Sequence, residues 1–380
     1  MSAATASVLP PTSGSLADVL PAAAVALGAP LRDVPVALPP AASVCVLLVD
    51  GLGERLLAAR GGHAPFLRGL AADGLVLDVG FPATTATSMG SFGTGLPAGA
   101  HGLVGYQVRD PATGRLLNEL SWEDGPDPRA WQPRPTVLEH LLAEGLDVVR
   151  IGPGFFDGSG LTEAALRGGT FVAAATLDQR VDAALAALRA PGRRLVYVYW
   201  GDVDKVGHVS GCDSWEWGEE LGAVDLAVRR LAHRMPGDCL LLVTADHGMV
   251  DVPAAARTDV ADDLELAAGV LLTGGEPRAP MLYCAPGAAD DVLATWRARL
   301  GAVMELCSRE EAVAAGWFGP VDDHVLPRIG DVVGAATAPV SVHDSRCQRP
   351  ELLSLIGMHG ARTPEETRVP LLVVPGRRLA

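Results

Sequence analysis

Three short aliphatic and β-branched runs, each ending abruptly at acidic residues, constrain this chain more than any other feature. Ser43-Val-Cys-Val-Leu-Leu-Val49 leads into Asp50-Gly51, and Arg194-Leu-Val-Tyr-Val-Tyr-Trp200 leads into Gly201-Asp202. Cys239-Leu-Leu-Leu-Val-Thr244 leads into Ala245-Asp246-His247-Gly248. Apolar runs without alternation predict strands buried on both faces, as in a parallel sheet. Helical periodicity at residues 65–72, 137–144, 179–189 and 215–234 falls between them, so strands and helices alternate as in a doubly wound α/β sheet. Ligands of such sheets bind beyond the strands' carboxyl ends, where the acidic residues fall here. A short helix is predicted at residues 16–27, a strand-like segment at 75–79 and a closing strand at 369–374.

With 380 residues and 49% hydrophobic content, the chain can bury a sizeable core. Residues 253–341 change character, mixing short apolar segments with one helical pattern near residues 290–300. The expected organisation is a main domain of residues 1–252 and 342–380, with residues 253–341 as a small inserted α/β subdomain.

Composition excludes several functions. Acidic residues outnumber basic ones by 45 to 30, a formal charge of −15, with no basic stretch interleaved with aromatics, so no nucleic-acid polymer is expected as partner. Pro, Gly or a charge interrupts every long apolar run, which predicts no membrane span. Residues 1–11 lack Lys or Arg and no apolar signal core follows, so a secretion signal is not expected. The six cysteines, without CxxC spacing, suit reduced thiols in the cytoplasm.

The acidic strand ends carry the candidate chemistry. Asp50 alone reads as the start of an Asp-Gly turn. Asp204 and His208 are spaced i and i+4, so a helix projects both from one face toward a shared cation. A calcium loop over the same segment would need an oxygen ligand where Val206 stands. Asp246-His247-Gly248 puts a carboxylate and an imidazole together at a strand end, a donor pair that suits zinc or manganese. His359 lies in the loop Gly357-Met-His-Gly360 before the last strand. In Phe81-Pro-Ala-Thr-Thr-Ala-Thr-Ser-Met89, the residues Thr84, Thr85, Thr87 and Ser88 are candidate nucleophiles, with a plain helix cap as the bland alternative.

In this order the motifs resemble the alkaline phosphatase superfamily, within it the nucleotide pyrophosphatase/phosphodiesterase-like branch, over residues 44–248 and 353–374. Asp50 matches that family's first metal-binding Asp, and Phe81-Pro-Ala-Thr-Thr85 matches its nucleophile motif, which selects Thr85. Tyr199 through Asp204 to Gly207-His208, then Asp246-His247-Gly248 and His359-Gly360, match its remaining ligand motifs. The resemblance implies a doubly wound α/β/α sandwich of the alkaline phosphatase kind with the small inserted α/β subdomain. It also implies two divalent metals, zinc first and manganese second, roughly 3.5–4.5 Å apart. One would be held by Asp204, His208 and His359, the other by Asp50, Asp246 and His247 with the Thr85 oxygen.

The implied activity is hydrolysis of a small-molecule phosphate ester through a phosphothreonine on Thr85. Two positions depart from the family: Ala86 replaces an aromatic beside the nucleophile, and Tyr106 replaces an Asn. Tyr106 and Tyr199 are therefore the candidate substrate-binding residues. Cys284-Ala-Pro-Gly-Ala288 lacks the Arg of a sulfatase motif. A phosphomonoesterase or phosphomutase is the nearest alternative, and a catalytically silent metal- or ligand-binding scaffold is the alternative from another class. Residues 81–99 hold no Lys or Arg, and Lys205 points off the Asp204–His208 face, which leaves a cation from the insertion, such as Arg328, as the exception. A monoester dianion would find little counter-charge beyond the metals, which favours phosphodiesters or pyrophosphate-type linkages.

Overall fold

The computed structural model describes residues 12–348 and 350–376; the segment read above for a secretion signal, residues 1–11, lies outside them. Its centre is an eight-stranded sheet in the spatial order Gly14–Ser15, Leu75–Asp78, Arg368–Pro375, Cys239–Thr244, Ser43–Val49, Arg194–Trp200, Asp147–Gly152, Thr170–Ala173. Arg368–Pro375 runs antiparallel to both neighbours, while the other pairings are parallel.

The three acid-tipped strands lie side by side, with Val46 opposite Tyr197 on one flank and Leu242 on the other. Because they are parallel and in register, their acidic ends meet at one edge. Every residue of Ser43–Val49 is buried, since the strand has a neighbour on each flank and helices above and below. Tyr197 contacts Met89 of helix Thr85–Thr94, whereas Trp200, of opposite parity, lies under Arg180 of helix Leu177–Arg189. The α/β/α layering thus follows from strands that are apolar on both faces. Truncating Leu47 or Leu242 to Ala in this layer is expected to cost about 2–5 kcal/mol.

Helix starts follow their capping chemistry. Thr136 and Thr176 each form a reciprocal capping box with the residue three positions on, Glu139 and Gln179, ahead of Val137–Ala143 and Leu177–Arg189. Thr84 precedes helix Thr85–Thr94 without capping it through its side chain, which frees that hydroxyl for another partner.

Between Cys239–Thr244 and Arg368–Pro375 the chain builds a second, four-stranded antiparallel sheet in the order Val270–Glu276, Ala279–Cys284, Val332–Ala336, Met304–Ser308. Helix Ala289–Leu300 contacts it, and Trp296, Leu282, Met304 and Val332 belong to a hydrophobic cluster separate from the main core. Arg257–Asp259 pairs in parallel with Ser341–His343, drawing the two ends of this segment together at its base.

Candidate active site

The strand ends place the site. Asp50 directly follows Ser43–Val49, and its N–H donates to the Trp200 carbonyl at 2.8 Å. Gly51 turns the chain with φ 75°, and its N–H donates to Asp246 Oδ1 at 3.2 Å. A Cβ at Gly51 would lie 3.0 Å from the Asp204 Cα, so only glycine lets the two loops approach this closely. Asp204 and His208 lie on helix Asp202–Ser210, one turn apart, with His208 Nε2 3.3 Å from Asp204 Oδ2. Gly207 on that helix sits against Met249 and Gly357, which seats the loop carrying His359.

All three histidines are aimed by the same device. The Nδ1 of His208 faces the Gly357 carbonyl at 2.7 Å, that of His247 the Gly248 carbonyl at 3.1 Å, and that of His359 the Ala83 carbonyl at 2.9 Å. A carbonyl only accepts, so Nδ1 carries the proton and Nε2 keeps a free lone pair. His247 Nε2 lies 3.2 Å from Thr85 Oγ1, 3.4 Å from Asp50 Oδ1 and 3.6 Å from Asp246 Oδ2. His359 Nε2 is 4.0 Å from Asp204 Oδ1, and its ring stacks on His247 at 3.7 Å.

Two groups bring their ligand atoms within 4.8 Å of one another: Asp204, His247 and His359, and Asp50, Asp246 and His247. His247 is common to both, and His208 joins through Asp204. Asp50 Oδ1, Asp204 Oδ1 and Asp246 Oδ2 are buried without a hydrogen-bond partner. Burial, then the carboxylates of Asp246 and Asp204, push Asp50 well above the usual range. Burial also raises Asp246, against the pull of His247. Burial and the neighbouring His247 and His208 rings hold His359 well below its ordinary value, hence neutral, the form that ligates. Orphaned carboxylate oxygens facing free imidazole lone pairs are a donor set that a divalent cation completes.

Thr85 is the first residue of its helix and is half-buried, its hydroxyl at this cluster. Thr84, one residue away, instead donates to Glu276 Oε1 at 2.5 Å. Glu276 comes from the inserted sheet, and the sequence reading missed it: nothing near it in sequence links it to Thr84. Burial pushes its carboxyl up to about 8, with the Thr84 hydroxyl pulling the other way.

Two chambers open on Thr85 and Asp204. The smaller, about 250 Å³, is lined by Tyr106, His208, His359 and Glu276. The larger, about 480 Å³, is lined by Asp50, Tyr199, Arg150, Phe155, Phe156 and Phe171. The two tyrosines singled out from sequence thus fall in different chambers. The Tyr199 hydroxyl donates to Asp50 Oδ2, so it steadies a candidate ligand as well as forming a wall. The charge expectation needs correcting. Arg328 is buried under Trp131 and donates to the Gly102 and Trp131 carbonyls, so it serves the scaffold and lines neither chamber. The cation that does line the cleft is Arg150, whose signal was a lone charge inside the apolar run Val148-Val149-Arg150-Ile151. The aromatic wall had a signal too: Phe155-Phe156 between glycines at a strand end.

Among the described residues no helix is long and apolar enough to cross a membrane. No curated protein sequence matches the chain. Among solved structures, murine ectonucleotide pyrophosphatase/phosphodiesterase 5, in an inactive form bound to AMP, superposes with TM-score 0.69 at 18% identity, over 86% of this chain and 87% of that one. The human counterpart gives 0.69 at 16% identity, covering 87% of each chain. Phosphonoacetate hydrolase from Sinorhizobium meliloti 1021, in complex with phosphonoformate, gives 0.64 at 19% identity over 88% and 90%. These likenesses establish the alkaline phosphatase-like α/β fold. Residues 44–362 match the type I phosphodiesterase / nucleotide pyrophosphatase family, and the chain belongs to that family of phosphoester hydrolases.

Proposed function

We propose that the protein hydrolyses phosphodiester or pyrophosphate-type bonds of a small-molecule ester in two in-line steps, with Thr85 as nucleophile. The observation that carries this reading is the position of Thr85 Oγ1, at the junction of both chambers and 3.2 Å from His247 Nε2, beside three buried carboxylate oxygens that lack partners. Two divalent ions fit the donor set, zinc first and manganese second: Asp204, His208 and His359 would hold one, and Asp50, Asp246 and His247 with Thr85 the other. When bound, they supply positive charge that favours the ionised Thr85 hydroxyl and stabilises the leaving oxygen.

Thr85 Oγ1 bonds to phosphorus while the opposite P–O bond breaks, and the proton from Thr85 leaves on the departing alcohol or, from a pyrophosphate-type bond, on the departing phosphate. Water then attacks the phosphothreonine, the P–Oγ1 bond breaks, and Thr85 regains its proton as the phosphate product leaves. The N-terminus of helix Thr85–Thr94 points its dipole at the developing negative charge. Tyr199 fixes Asp50, and the Nδ1 contacts of the three histidines hold their rings, so the site is set before substrate arrives. AMP and phosphonoformate in the structural neighbours support an anionic phosphorus ligand. The six free cysteines suit a reducing compartment, the cytoplasm.

The test compares kcat/KM on bis-(4-nitrophenyl) phosphate and mono-(4-nitrophenyl) phosphate with one metal-quantified preparation. Preference for the diester is the expected result. A clear monoester preference would move the assignment to a phosphomonoesterase, and no turnover of either would favour a silent binding scaffold.

A further inference from the structure

Resting on the phosphoesterase reading, the geometry points to a substrate with a second anionic group. We propose that Arg150, at the floor of the larger chamber, binds a carboxylate or phosphate carried on an aromatic or apolar frame next to the scissile phosphorus.

Arg150 lies mid-strand in Asp147–Gly152, in register with Tyr197 on one flank and Phe171 on the other. It is only 7% exposed, yet its Nε and Nη1 have no hydrogen-bond partner. Its Nη2 reaches the Gly169 carbonyl only at 3.5 Å. Among the described residues it forms no ion pair; Asp157 and Glu163 attract it from beyond that reach, and Glu163 is already paired with Arg129. Burial correspondingly pulls its pKa down.

Arg180 and Arg278, also buried, have every guanidinium nitrogen that is buried engaged. Arg180 donates to the carbonyls of Ala174, Tyr199 and Ala175. Arg278 is paired with Glu366 through two of its nitrogens. Arg180 and Arg328 also lack a carboxylate but direct their donors at carbonyls, whereas Arg150 leaves two buried nitrogens unpartnered, a costly arrangement in an apolar strand. A ligand oxyanion would supply the missing counter-charge and an acceptor for a vacant guanidinium N–H.

The chamber around it says what carries that anion. Phe171 lies 5.6 Å from the guanidinium carbon, and Phe156 contacts Tyr199 at 5.4 Å and Phe155 at 4.8 Å. Phe155 itself is 76% exposed, an aromatic lip at the mouth. Since Thr85 and Asp50 line the same chamber, a substrate with phosphorus at Thr85 extends one ester group between these rings toward Arg150.

The experiment uses the 4-nitrophenyl phosphodiester of 4-(hydroxymethyl)benzoate and its carboxamide analogue. Wild-type protein is expected to favour the acid over the amide in kcat/KM by about 30-fold, the worth of a charged hydrogen-bonded pair. Arg150→Met should bring that ratio near one, and Arg150→Lys should keep part of it. A ratio near one in the wild type, or a ratio unchanged in Arg150→Met, would overturn the proposal. A general structural defect would lower both substrates together and leave the ratio intact. Should Arg150→Met fail to fold, Arg150→Lys and Arg150→Gln supply the same comparison. If neither diester is turned over, the phosphoesterase reading fails, and the subsite is then judged by calorimetric binding of biphenyl-4-carboxylate. Loss of about tenfold or more in affinity on Arg150→Met would support it, whereas equal binding, as a carboxylate held elsewhere would give, would sink it.

Discussion

Two clusters of buried charge each take one residue from the late segment of the chain, Glu366 in one and His359 in the other, and they are built in opposite ways. At the joint between the inserted sheet and the main domain, Arg278 donates to both oxygens of Glu366, at 2.8 and 2.7 Å, and to the Ala338 and Val340 carbonyls. Glu366 also accepts from the Ala361 N–H and the Thr363 hydroxyl. In the cleft, Asp50, Asp204 and Asp246 are packed together with one oxygen each left unpaired. The joint is satisfied from within, whereas the cleft leaves carboxylate oxygens open to the cations proposed for it. Both arrangements bury charge, so burial alone does not tell a fastening from a binding site; the difference lies in which polar atoms are satisfied.

The comparison predicts that function and stability separate. The largest effect belongs to Thr85→Ala, expected to cut turnover by about 10⁴-fold or more while shifting the melting temperature by no more than about 2 °C. Initial rates and thermal melts of the same preparation check it, and loss of activity in Thr84→Ala with Thr85→Ala active would reassign the nucleophile. Next comes Arg278→Met, which leaves Glu366 buried and unpaired and should cost about 3–5 kcal/mol in denaturant unfolding. Metal bound per folded molecule should not change; a drop would mean the joint also shapes the cleft.

Asp246→Asn, with His208→Ala beside it, should weaken metal affinity by about 10–100-fold, measured by elemental analysis after dialysis. In chelator-treated protein Asp246→Asn should melt no lower than wild type, because it removes one of three crowded carboxylates. A lower melting point there would place Asp246 with the fastenings.

The smallest effect is a pH slope. Folded Glu276 keeps its proton up to about 8, against an ordinary value of 4.5. Between these values the native state holds more protons than the unfolded one, so stability falls as pH rises from 4.5 to about 8 and then levels off. Glu276→Gln should remove that part of the slope, at most about 1.4 kcal/mol per pH unit within the window in metal-free protein. An unchanged slope in urea titrations would show that Glu276 already ionises near its ordinary value.

What could be read from the residues in order was whatever local physics settles. Apolar runs named the three central strands to the residue, and i, i+4 spacing put Asp204 and His208 on one helix face. The separate four-stranded sheet is built from residues within the segment where the pattern changes. Local pattern left Thr84 and Thr85 equivalent and only the motif register chose Thr85; in the fold the Thr85 hydroxyl faces His247 and the Thr84 hydroxyl faces Glu276.

The amino-acid order by itself determined where strands end and which residues those ends present, because burial on both faces and helical period act within a few neighbours along the chain. Only the tertiary structure decided that Arg150 stands between Tyr197 and Phe171 without a counter-charge, that Glu276 crosses from the insertion to Thr84, and that three imidazoles turn Nε2 inward. Those facts depend on strand order and on contacts between residues 276 apart in the case of His359 and Ala83, and no local propensity encodes such pairings.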